Sequence, residues 1–308
     1  MIELRRYSFA GEDGSDGRHL LITGGVHGDE FEPIAAIRRL IEMFDNRDEQ
    51  VAGFRGRVTF VPIVNEAAFL RGHRCAEDGL DLARTCPGKV DGSITEQTAF
   101  ALSELIRSAD FYIDLHTGGT ELSVYPLAGY VLHRDADVLA VQRRMARAFN
   151  LPVVWGTAGN LDGRSLSVAR DANIPAIYCE YLGAATCSCD GVDAYVDGCL
   201  NVMSELGMLE RESPASRVEH VIENPAPGSG HMQVCNPSPV DGFFLPAVEL
   251  GAEVRKGDPL GVVTPMDGSA SVTIAADTDG VVLVLRTFPR VIAGESIGVL
   301  AGADADSA

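Results

Sequence analysis

The chain has 308 residues, 46% of them hydrophobic, and carries 25 Lys and Arg against 44 Asp and Glu, a formal net charge of -19. That length and composition build one large domain or two smaller ones around a sizeable core, not a disordered chain. The acidity argues against nucleic acid or an anionic membrane surface as a partner; no run of about 18–20 apolar residues is present to span a bilayer, and Met1 to Arg6 lack the apolar stretch of a secretory signal.

In chain order, Arg18 to Gly24 reads as a strand. Glu30 to Phe44 follows with Phe31, Ile34, Ile37, Leu40, Ile41 and Phe44 at helical spacing. Val58 to Val64 is a second strand, and residues 66–94 are Gly-rich and irregular. Thr95 to Ser108 reads as a helix, Phe111 to Leu115 as a strand, Asp135 to Phe149 as a helix and Val153 to Trp155 as a short strand. Ser165 to Asp171 is a short helix leading into the strand Ala176 to Cys179. Ala194 to Leu206 is the last long helix, with Gly207 placed to stop it. This alternation predicts an α/β fold, a mainly parallel or mixed sheet with helices on both faces.

Glu210 to Pro227, with Pro214, Pro225 and Pro227, reads as a linker. Beyond it the helical pattern ends, and short strands are expected at 248–251, 259–263, 271–274 and 280–285. The expected organisation is therefore an α/β domain over 1–212 and a small all-β, barrel-sandwich-like domain over 213–308, with a fraying tail from Gly302. The turn Ala276 to Gly280 has no Lys, which argues against a swinging-arm carrier role. The seven cysteines are odd in number and scattered, which fits reduced thiols and a cytoplasmic location. Cys187-Ser188-Cys189 lacks the second pair of a zinc site.

Two segments carry chemistry. Gly24-Gly25-Val26-His27-Gly28-Asp29-Glu30 follows one apolar strand, and Asp114-Leu115-His116 ends another. Strand C-terminal ends are where open α/β sheets build their sites. His27 and Glu30 are three apart, so one helical turn would aim both the same way. With His116 they make a His₂Glu set, the ligand triad of a catalytic zinc with an open fourth position. Asp114 is placed to hold a ligand imidazole.

These residues resemble the succinylglutamate desuccinylase/aspartoacylase family of zinc carboxypeptidase-like hydrolases. The resemblance runs through the 24–30 segment, Asn65 with Ala68, Arg74, Glu77 to Arg84, Pro87-Gly88, Asp114 to His116, Glu180 and the C-terminal β-rich region. It implies one zinc held by His27, Glu30 and His116, with Glu180 as general base and Arg74 polarising the scissile carbonyl. It implies that Arg84 binds a substrate carboxylate. Arg170, ten residues before Glu180, matches by spacing a second carboxylate-binding Arg. Ala83 stands where the family carries an Asn that helps hold that carboxylate, and its side chain cannot hydrogen-bond.

The expected function is zinc-dependent deacylation of a small N-acyl amino acid or diamino acid bearing a carboxylate, with a homo-oligomer left open. The alternatives are a metallocarboxypeptidase acting on peptides and a non-catalytic metal- or ligand-binding protein.

Overall fold

The structure, a computed structural model, describes residues 2–11, 17–232 and 235–302; the expected tail beyond Gly302 lies outside the described residues. In the first two-thirds, the elements are β1 (Tyr7–Ala10), β2 (His19–Thr23), α1 (Glu32–Asp45), β3 (Arg57–Val61), α2 (Glu66–Arg71), α3 (Ile94–Arg107), β4 (Phe111–His116) and β5 (Leu122–Val131). They continue with α4 (Ala136–Phe149), β6 (Val153–Thr157), α5 (Ser165–Asp171), β7 (Ala176–Gly183), α6 (Cys189–Glu205) and β8 (His220–Glu223).

The large sheet runs β1-β3-β2-β4-β7-β5. Strands β3, β2, β4 and β7 are parallel, while β1 and β5 join antiparallel. Successive side chains of a strand point to opposite faces, and each face is covered by helices. Leu20 and Ile22 pack with Ile37 and Leu40 of α1, Met145 of α4 and Met203 of α6. Leu21 and Tyr112 pack with Leu102 of α3 and Ala169 of α5 on the other side. All five residues of β2 are buried, as a strand covered on both faces requires.

The remaining strands are β9 (Gly242–Pro246), β10 (Glu253–Val254), β11 (Pro259–Pro265), β12 (Val272–Ala275), β13 (Gly280–Arg286), β14 (Arg290–Val291) and β15 (Gly298–Ala301). Strands β12-β11-β9-β14 form a second, antiparallel sheet. Its core of Phe244, Leu260, Val263 and Ile274 is separate from the two helical layers.

Several boundaries differ from those expected. Strand β5 carries Pro126, which spoils a strand pattern in sequence. The β5–β7 register shifts between Val124 and Leu127, so the residue lacking an N–H sits at an irregularity in the ladder. The stretch 248–251 forms no strand; it turns, with Gly251 at φ 78°, and β9 takes the place in the small sheet. Helix α6 starts five residues early, capped by Ser188, which accepts from the Gly191 N–H.

The large sheet also continues past residue 212. Strand β8 pairs in parallel with β6, and β13 pairs with β5 along Leu122 to Val124. Arg286, buried at the end of β13, donates to Glu121 and Glu295 and to the Ser296 and Arg290 carbonyls. The Thr287 and Phe288 N–H groups donate to the Glu121 carbonyl. Among the described residues no helix is long and apolar enough to cross a membrane. All seven cysteines are free thiols, Cys187 and Cys189 among them and exposed.

Candidate metal centre and cleft

The loop from β2 to α1 carries His27 and Glu30. They meet through a turn ahead of the helix, which begins only at Glu32, so helical register is not what aligns them. The turn sits hard against α2: a Cβ on Gly28 would fall 2.1 Å from the Ala68 carbonyl, so only glycine fits there. His116 arrives from the end of β4. One donor atom from each of His27, Glu30 and His116 lies within 4.8 Å of the others, and all three residues are buried.

The ring contacts decide what this cluster suits. His27 faces Glu30 Oε1 through Nδ1 at 2.6 Å and Asp81 Oδ1 through Nε2 at 3.1 Å. His116 faces Glu30 Oε2 through Nδ1 at 3.2 Å and Asp114 Oδ2 through Nε2 at 3.0 Å. A neutral imidazole has one N–H, so a ring between two carboxylates must be charged or must give its other lone pair to a cation. Carboxylates behind both Nε2 atoms leave both Nδ1 atoms for an ion shared with Glu30, the usual arrangement around ligand histidines. Two imidazoles and a carboxylate are the donor set of a catalytic zinc, so the residues fit that metal. Without a cation, burial works against a charged His116, yet Asp114 and Glu30 outweigh it and raise its pKa well above 6.5.

Both supporting carboxylates are themselves fixed. Asp114 also accepts from the Thr23 and Ser165 hydroxyls. Asp81 caps the turn Leu82–Arg84 by accepting from Ala83 N–H and receives Arg74 through Nε and Nη2 at 3.2 and 3.0 Å. Burial opposes its charge, but His27 and Arg74 hold its carboxyl well below the usual range. Asp29, between His27 and Glu30 in the loop, accepts from the Thr120 N–H and hydroxyl. It fixes the turn after His116 where Gly119, at φ 60°, has no room for a Cβ beside it.

Glu180 lies on β7 in register with His116 on β4, so the two side chains share a face of the sheet. It is buried, and its Oε2 has no hydrogen-bond partner. Burial, opposed by His116 and reinforced by Glu30, pushes its pKa up to about 8. His27, Glu30, His116, Glu180, Arg74 and Arg84 all line one cleft, part of it open to solvent.

Arg170 is not brought to this cleft. It sits in the last turn of α5, ion-paired to Asp162 at 2.7 Å and Asp171 at 2.8 Å. Arg164, at the N-cap of the same helix, lines the cleft instead and donates Nη2 to the Gly230 carbonyl at 3.1 Å. Among the described residues Arg164 has no carboxylate within ion-pair distance, and burial lowers its pKa. Desolvation at the cleft rim, with Arg164 close by, pushes Arg84 down to about 10. A guanidinium beside another that lowers its charge makes a place an anion can stabilise. Tyr178 adds a buried hydroxyl without a partner to the same cleft. Nothing in local spacing singles out Arg164; its signal is the N-cap position of the helix that directly precedes the strand carrying Glu180.

A model of the succinylglutamate desuccinylase/aspartoacylase catalytic domain matches residues 16–206. The N-alpha-acetyl-L-2,4-diaminobutyric acid deacetylase of Halomonas elongata is 31% identical over 294 residues, covering 93% of this chain and 82% of that protein. The product-bound ectoine utilization protein EutE (DoeB) from Ruegeria pomeroyi superposes with a TM-score of 0.85 at 26% identity, over 96% of this chain and 88% of that one. A succinylglutamate desuccinylase/aspartoacylase from Rhodobacter sphaeroides gives 0.84 at 25% identity, over 98% and 90%. The chain belongs to the succinylglutamate desuccinylase/aspartoacylase family of deacylases, hydrolases of amide bonds.

Proposed function

We propose that this protein is a zinc-dependent amidohydrolase that removes the acyl group from a small N-acylated amino acid bearing a carboxylate. The observation that carries the reading is Glu180: a buried carboxylate with an unpaired oxygen, in register with His116 and facing the same cleft as His27 and Glu30. Zinc held by His27, Glu30 and His116 would supply the Lewis acidity that acidifies water and polarises a carbonyl.

The protein's own groups do the rest. Glu180 takes a proton from the attacking water and delivers it to the leaving amine. Arg74, fixed by Asp81, donates to the oxyanion; one such donor is typically worth about 3–4 kcal/mol. Arg84 and Arg164 receive the substrate carboxylate, a planar pairing that Lys does not reproduce. Residues beyond 212 supply Gly230 and Met232 to the cleft, which supports a role for the C-terminal region in limiting substrate size. Seven free thiols support a cytoplasmic setting.

The test is Glu180→Gln. Turnover of an N-acyl amino acid should fall by about 10²–10⁴-fold, while zinc content by elemental analysis stays unchanged. A near-normal rate removes Glu180 from the mechanism.

A further inference from the structure

We propose that the Tyr178 hydroxyl is a substrate-binding donor which, together with Arg164, holds the carboxylate of the substrate. This rests on the hydrolase reading above and adds a residue to its substrate site.

Tyr178 lies on β7 two residues before Glu180, so both side chains leave the same face of the sheet. It is buried, and it lines the cleft with Glu180 and Arg164. Gly129 of β5 stands opposite it in the ladder. A Cβ at 129 would fall 2.2 Å from the tyrosine ring and 2.6 Å from its hydroxyl. The ring thus lies across β5 over Gly129, and a larger residue would leave it no room. Gly129 is not among the glycines with left-handed backbone, so no turn requires it. A glycine inside a strand weakens it and marks a close approach; here the group that approaches is a phenol.

The hydroxyl of that phenol has no hydrogen-bond partner. Burying one unpaired costs stability, and packing alone needs only a Phe. Burial raises its pKa, with Arg164 the strongest influence in the other direction, so the hydroxyl keeps its proton and can donate. Arg164 gives Nη2 to the Gly230 carbonyl and has no carboxylate within ion-pair distance among the described residues. A hydroxyl donor and a guanidinium in one cleft together suit a carboxylate, whose charge makes each hydrogen bond stronger than a neutral one. An ammonium accepted by the same hydroxyl would share the cleft with that guanidinium, a like charge.

Binding is read by calorimetry on zinc-loaded Glu180→Gln protein, with and without Tyr178→Phe. The ligands are N-acetyl-L-alanine and N-acetyl-L-alaninamide, close in shape and different in charge. The parent should favour the carboxylate, and Tyr178→Phe should weaken its binding by about 10–100-fold while weakening the carboxamide less. An unchanged preference, an equal loss for both ligands, or no binding of N-acetyl-L-alanine to the parent overturns the proposal. N-α-acetyl-L-2,4-diaminobutyrate checks the opposite polarity. Equal losses for it and for N-acetyl-L-alanine support the carboxylate contact; a much larger loss for the diaminobutyrate derivative means that the hydroxyl accepts from an ammonium, and the proposal fails. The Tm of Tyr178→Phe should be unchanged or higher, since the hydroxyl makes no internal bond; a fall of several degrees assigns it a structural partner and overturns the proposal. If binding behaves as expected but zinc-loaded wild-type protein hydrolyses no N-acyl amino acid, the carboxylate subsite stands and the hydrolase reading falls.

Discussion

His27 and His116 each stand between two carboxylates, and that one fact organises the chemistry of the site. The clustering of His27, Glu30 and His116 was legible in the sequence because both segments fall at strand ends, where side chains from separate strands converge. Asp81 as the partner of His27 was not, since the contact spans 54 residues and depends on how the turn after Ala76 folds back. Arg170 shows the limit of spacing arguments. It lies six residues from Arg164, about one and two-thirds helical turns, so the two project from different sides of α5. Arg164→Gln should raise KM several-fold with little change in kcat, whereas Arg170→Gln should leave both unchanged; steady-state kinetics on the two variants checks this. Glu180 makes a pH prediction. Its carboxyl holds a proton up to about 8 in the folded state against 4.5 for an ordinary Glu. The stability this contributes is full below pH 4.5 and is lost as pH rises through 8. In metal-stripped protein, the Tm of wild type should therefore fall relative to Glu180→Gln across that window. A Tm difference that stays constant with pH contradicts this.

At the scale of elements, helices with strong periodicity were located to within a few residues; α5 matches its expected span. Amphipathic packing against a sheet leaves that signature in the sequence. Strand β5 left none, because it faces β7 on one side and two different strands on the other, and because Pro126 breaks its pattern. Yet β5 supplies three of the apolar residues of the cleft. The element least visible in sequence is thus among those that line the cleft. The glycines at 28 and 119 answer to crowding: Ala68 against the first, the Asp29 carboxylate against the second.

At the scale of the molecule, the sequence shows two compositional regions, while the hydrogen bonding shows one large sheet that crosses between them. Pairings such as β13 with β5 join residues so far apart in the chain that no local pattern announces them. Arg286 is the clearest link. Its guanidinium and the turn after it hold Glu121, Thr120 is held by Asp29, and Asp29 adjoins Glu30 of the candidate metal site. Arg286→Gln should cost about 1–3 kcal/mol of stability and speed amide hydrogen exchange at 119–122. Unchanged Tm and exchange would show that the linkage carries no energy.

This arrangement also sets an order of events during synthesis. His27, Glu30, His116 and Glu180 have all left the ribosome well before Arg286, which follows Glu121 by 165 residues. At about 5–20 residues per second, an interval on the order of ten seconds separates the emergence of Glu121 from that of its clamp. A nascent chain thus possesses the charged groups of the cleft before Gly230 and Met232, which also line it, and before the Arg286 clamp that braces Glu121.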